Sequence, residues 1–175
     1  MEWLAGLVRG SEAQVVRFNF LYRALGKSMP DRKPALIETY RAVIDNVRDR
    51  LAPEALVIGG HSMGGRVASM LESEMSAADG LLLFGYPLHP AGQPEKLRDA
   101  HLGAIHIPTL QINGTEDELC TQELMDPIAA GLDSWKLEWV PGADHSYGVR
   151  RSSGRTRADV EIQISNVVKG WLGSL

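Results

Sequence analysis

The chain of 175 residues has a single cysteine, Cys120. No internal disulfide can form, and a reducing, cytoplasmic setting is the expected one. An excess of either charge is also missing. Lys and Arg number 18 and Asp and Glu 22, for a formal net charge of -4 at pH 7. That near balance gives no general attraction for nucleic acid or an anionic membrane surface. No apolar run approaches the roughly 20 residues of a bilayer-spanning helix. The opening "MEWLAGLVRGSEAQ" has neither the basic start nor the long apolar stretch of a signal peptide. No repeat, low-complexity tract or linker divides the sequence. One domain over residues 1–175 is therefore expected, with length enough for one sizeable core. The expected partner is a small molecule, with neither nucleic acid nor membrane involved.

Short apolar runs alternate with amphipathic segments. "EWLAGLVRG" (2–10) predicts a short helix, "QVVRFNF" (14–20) a strand, and "LYRALGKSMPDRKP" (21–34) a loop. From Leu36 to Leu51 apolar residues recur at helical spacing: Leu36, Ile37, Tyr40, Ile44, Val47 and Leu51. "EALVIGG" (54–60), "GLLLFG" (80–85), "PTLQING" (108–114) and "WKLEWV" (135–140) predict strands. Helices are predicted at 63–75, 121–131 and about 157–172. Thr156 and Asp159 can cap the last helix, whose stripe is Val160, Ile164, Val167, Val168, Trp171 and Leu172. Strand alternating with helix predicts an α/β fold, a mostly parallel sheet with helices on both faces. In such folds the chemistry sits at the carboxyl ends of the strands.

"GHSMG" (60–64) lies at one such end, between a predicted strand and a predicted helix. It matches the G-x-S-x-G turn that projects a serine from a sheet, a nucleophile elbow. Gly60 and Gly64 are expected where a side chain would strike the backbone. The backbone N–H of Met63 would then face a developing oxyanion at a helix N-terminus. A serine hydroxyl needs a base to take its proton. His145, in "VPGADHSYG", follows the last predicted strand, and histidine has the right ordinary pKa. Asp117, in "INGTEDELC", follows the strand before it and can orient that histidine. The chain order Ser62, Asp117, His145 is that of α/β-hydrolases.

Plainer readings exist for each residue. The glycine-rich turn could be tight packing or a phosphate cradle, although no lysine follows "GHSMGGR" and P-loop spacing is absent. Asp117 could be a turn residue beside Glu116 and Glu118, and Asp144 is an alternative acid. His61 is expected to pack or support rather than to react. His89, His101 and His106 lack metal-ligand spacing, so no metal is expected. Cys120 reads as an incidental small side chain. "RRSSGRTR" (150–157) reads as a solvated loop in preference to an anion-binding patch.

"VVRFNF", "GGHSMGGR", "GLLLFGYPLHP", "LRDAHL", "PTLQINGTEDE" and "GADHS" together resemble a small branch of the α/β-hydrolase superfamily, hydrolases related to dienelactone hydrolase. The resemblance covers nearly the whole chain. It implies Ser62 as nucleophile, Asp117 as acid and His145 as base. In that family a strand ending in a His-Gly-Ala-Gly-like motif precedes the first helix and supplies a second oxyanion donor. No such motif stands upstream of Ser62 here. An N-terminally truncated sheet is therefore expected. It should either carry a gap between the "QVVRFNF" strand and the "ALVIGG" strand or pair those two directly. A start further upstream, a sheet closed without the strand, and an edge filled by another chain are the three explanations. "NFLYRA" also replaces a proline-containing turn.

The function these residues point to is hydrolysis of a small ester, thioester or lactone through an acyl-enzyme on Ser62, without metal or organic cofactor. Loss of one oxyanion donor would slow it by about two to three powers of ten. The alternative is a non-catalytic hydrolase-like binding module. The crossover 85–107 is short for a cap, so an open or shallow site is expected.

Overall fold

The computed structural model describes residues 2–9 and 13–175. Its elements in chain order are α1 (Glu2–Arg9), α2 (Leu21–Ala24), α3 (Lys33–Leu51), β1 (Val57–His61), α4 (Met63–Met75), β2 (Gly80–Phe84), β3 (Thr109–Gly114), α5 (Gln122–Ala129), β4 (Trp135–Val140) and α6 (Arg157–Leu172). Single 3-10 turns lie at Leu102–Ala104 and Arg151–Ser153. The four strands are parallel and stand in sequence order, β1-β2-β3-β4. Among the described residues no helix is long and apolar enough to cross a membrane.

Side-chain alternation sets the layers. On β2, Leu81 and Leu83 point to a core built with α3, α4 and α5, while Leu82 and Phe84 point to a second core with α1 and α6. Such a strand is buried on both faces, which is why its sequence is continuously apolar. On α3, Leu36, Ile37, Tyr40 and Ile44 are buried, whereas Leu51 at its end is exposed. On α6 the inward stripe is Val160, Ile164, Val168 and Trp171. Thr156 and Asp159 form a reciprocal capping box there, each side chain bonded to the other's backbone N–H.

The N-terminal third departs from the sequence reading. Residues 14–20 form no strand: they run outside the sheet without ladder pairing. A strand is stabilised by its neighbour, and here the outer edge of β1 is occupied by a side chain instead. The Tyr40 O–H donates to Gly59 O at 2.6 Å, and the Gly59 N–H donates back to the Tyr40 oxygen at 2.9 Å. Phe18 and Phe20 then pack on Tyr40, with ring centroids at 5.0 and 6.3 Å. The sheet therefore has neither an internal gap nor a pairing of 14–20 with β1; β1 is its edge. The predicted loop 21–34 contains the single turn α2, and α3 starts earlier than the apolar stripe implied, with Pro34 in its first turn.

Candidate active site

Ser62 joins β1 to α4 with φ 54° and ψ -120°, a left-handed backbone that a non-glycine residue adopts only under constraint. The constraint is the crossing of strand and helix. A Cβ on Gly60 would stand 2.9 Å from the carbonyl carbon of Gly64 and from the nitrogen of Gly65. One on Gly65 would stand 2.6 Å from Gly60 O. Gly64, expected to be the second crowded position, has open space at its Cβ direction. The helix enters against the strand one residue later than the motif suggests, so the crowding falls on Gly65. The Ser62 N–H is fixed to Phe84 O at 2.9 Å, which ties the turn to the end of β2.

Two further strand ends meet this serine. After β3, Asp117 is 2% exposed, with its carboxylate accepting from Leu119 N and Asn113 Nδ2, each at 2.9 Å. After β4, His145 directs Nδ1 at both Asp117 oxygens, at 3.0 and 2.9 Å. Its Nε2 lies 2.8 Å from Ser62 Oγ. The carboxylate accepts the Nδ1 proton, which leaves Nε2 to accept from the serine hydroxyl. The loops come together because Gly114 has no side chain: a Cβ there would collide with Ala143 O.

Several supporting residues were not singled out by the sequence. The His61 Nε2–H donates to His145 O at 2.8 Å, and burial holds the His61 pKa below its ordinary value, so the ring stays neutral. Tyr147 is fully buried with φ 63°. Its hydroxyl donates to Ile112 O at 2.7 Å and accepts from Gly85 N at 2.9 Å, linking the ends of β2 and β3 to the histidine loop. Arg157 donates to Tyr147 O at 3.2 Å and stacks 3.8 Å over the Trp3 ring, so α1 and α6 brace the same loop. A polar ladder, Gln111 to Asn113 to Asp117, runs up one face of β3. Its signal was in the sequence: Thr109, Gln111 and Asn113 alternate with apolar residues in a strand buried throughout.

Comparison with known proteins agrees with this geometry. A family model described as "Alpha/beta hydrolase domain" matches residues 1–173. The chain is a member of the alpha/beta hydrolase family. Among solved structures it is similar to dienelactone hydrolase from Anabaena variabilis, at TM-score 0.74 and 15% identity over 99% of this chain and 77% of that one. It is also similar to an alpha-beta serine hydrolase homologue from Coxiella burnetii, at TM-score 0.70 and 16% identity over 95% and 74% of the two chains. An a/b serine hydrolase without lid from Xanthomonas campestris aligns at TM-score 0.68 and 19% identity over 96% and 73%. Likenesses at this identity describe a shared fold.

The remaining polar residues of this alpha/beta hydrolase divide between structure and cleft. Asp144, the alternative acid, accepts from Ser146 N and Gly148 N at 2.8 Å and so holds its own turn. Glu116, Glu118, Asp144 and Arg150 line a cleft of about 470 Å³ beside His145. Cys120 is fully buried, and burial pushes its thiol pKa far up, which leaves it unreactive. His101 donates to Ser69 Oγ, and His106 lends its carbonyl to Ser134. The segment 150–157 is more than a solvated loop: Arg155 donates to Pro141 O and Gln163, and Arg157 braces the histidine loop.

Proposed function

We propose that this alpha/beta hydrolase cleaves a small carboxylic ester, thioester or lactone through an acyl-enzyme on Ser62. The observation that carries the reading is the unbroken line of hydrogen bonds from Ser62 Oγ through His145 to Asp117, at 2.8 and 2.9 Å. His145 Nε2 takes the serine proton as Oγ attacks the acyl carbon. Asp117 holds the imidazole in the required tautomer and stabilises its charged form. The Met63 N–H, first in α4, faces the oxyanion and is aided by the helix dipole. The leaving group departs with the proton from His145. Water, deprotonated by the same nitrogen, then attacks the acyl-enzyme and restores Ser62. The crossover 85–107 holds one 3-10 turn and no longer helix, in keeping with an open site for small substrates.

The test is intact-mass labelling with a serine-directed fluorophosphonate, run beside Ser62→Ala and His145→Ala. The expected result is one adduct on the natural chain and none on either variant. A folded natural chain that takes up no label would overturn the reading in favour of a non-catalytic binding module.

A further inference from the structure

We propose that Arg66 and Arg98 form a subsite for an anionic oxygen group, carboxylate or phosphate, carried by the substrate that Ser62 attacks. The proposal rests on the hydrolase reading for the identity of that substrate; the subsite itself rests on other observations. Arg66 lies one turn into α4, four residues after Ser62, and its backbone N–H donates to Ser62 O at 3.0 Å. Four residues of helix rise about 6 Å, and helical side chains lean toward the N-terminus. The guanidinium therefore leans back toward the turn that carries the serine.

Arg66 has no protein partner for its charge. Its Nε is buried and makes no hydrogen bond, and among the described residues no carboxylate lies within 4.0 Å of it. Arg98 comes from the crossover that faces α4. Its side chain touches only Pro87 O, at 3.3 Å, and it also has no acidic partner. Two guanidinium groups thus share a corner without an anion between them, and each lowers the other's stability. Burial, followed by the Arg66 charge, holds the Arg98 pKa below its ordinary value. An unpaired buried cation is a standing cost, relieved when an anion binds. The walls of the corner are fixed. The Tyr86 hydroxyl donates to Arg98 O at 2.6 Å, and Ser69 Oγ is bonded to His101 at 2.8 Å and to Arg66 O at 2.9 Å. The corner also opens to the reacting groups: Tyr86 N donates to Asn113 Oδ1, and Asn113 in turn holds Asp117.

Charge on the opposite side sharpens the argument. The cleft beside His145 carries Glu116, Glu118 and Asp144 against Arg150. A substrate anion is repelled there and drawn to Arg66 and Arg98, which orients the acyl group over Ser62.

The experiment has a binding arm and a turnover arm. Ser62→Ala protein is titrated with glutarate and, separately, with inorganic phosphate, followed by calorimetry. Saturable binding weakened about 10-fold or more by Arg66→Gln, and again by Arg98→Gln, is the expected result, the scale of one charge-assisted hydrogen bond. Melting curves check that each variant is folded. In turnover, the natural chain should prefer a nitrophenyl ester of glutaric acid over the matching neutral ester, and Arg66→Gln should bring that ratio toward one. Absence of saturable binding of either anion, or binding indifferent to both substitutions, overturns the subsite even if Ser62 labels. Intact anion binding on a chain that takes no fluorophosphonate overturns the hydrolase reading and leaves the subsite standing. The relative strength of the two anions says whether the group is a carboxylate or a phosphate.

Discussion

The two sides of the site are built differently. On the base side, His145 and Asp117 sit on loops held by five other residues: His61, Asn113, Tyr147, Arg157 and, through Arg157, Trp3. Those contacts come from both helical layers and from two strand ends. On the nucleophile side, Ser62 ends the edge strand, and the outer flank of that strand is closed at Gly59 by the Tyr40 hydroxyl. Around it Val16, Leu21, Leu25 and Met29 remain exposed. Position on the base side is fixed many times over. On the nucleophile side it depends on the glycine crossing and one phenol.

The largest break in this comparison is Asp117→Asn. It keeps the shape but presents an amide to Nδ1, and kcat should fall about 10⁴-fold, read as the rate of ester hydrolysis or of fluorophosphonate labelling. His61→Phe removes the hold on His145 O while other braces remain. A fall of about 10-fold in labelling rate is expected, with the melting temperature nearly unchanged, because one hydrogen bond of about 1 kcal/mol is lost from a redundant set. Tyr40→Phe should act in the opposite sense. It leaves the Gly59 N–H and C=O unpaired, and urea unfolding should show about 1–3 kcal/mol lost. If His61→Phe proves the more destabilising of the two, the asymmetry between the sides is wrong.

The smallest expected effect is a pH slope. Burial, with Arg66 on α4 and Lys33 on α3 adding to it and Asp99 and Glu74 opposing, holds the His101 pKa down to about 4. The folded chain therefore binds fewer protons than the unfolded chain between about pH 6.5 and 4. Stability must fall as pH is lowered through that window, and the loss is complete below it. Burial lowers the His61 pKa in the same direction. Urea titrations at pH 7, 5.5 and 4.5 should show the slope, and His101→Gln should flatten part of it.

Much of this was legible in the residues. Strands β2, β3 and β4 and helices α4 and α6 follow from apolar runs and stripes, because each buries against a partner that the chain also supplies. Ser62, Asp117 and His145 could be proposed to meet because parallel strands bring their carboxyl ends to one side. Residues 14–20 misled for a physical reason: alternating Val, Phe and polar residues describe a surface that wants a neighbour, and no neighbouring strand is paired with it. Gly64 misled because a motif gives the sequence of a turn and not the residue at which helix and strand touch. Tyr147 and Arg157 were hidden because their roles depend on backbone carbonyls brought close only by folding.

The phenol of Tyr40 gives the end of the sheet a further property. Its pKa is pushed up to about 12 by burial, so it remains a donor as well as an acceptor at ordinary pH. An added extended chain would offer Gly59 the same complement, one N–H and one C=O. Exchange of one for the other conserves the number of hydrogen bonds, and the free-energy difference between the two is correspondingly small. What guards the edge is then the time needed to swing a packed aromatic ring off α3's inner face. The sheet ends in a latch rather than a wall, and its closure is a matter of rate.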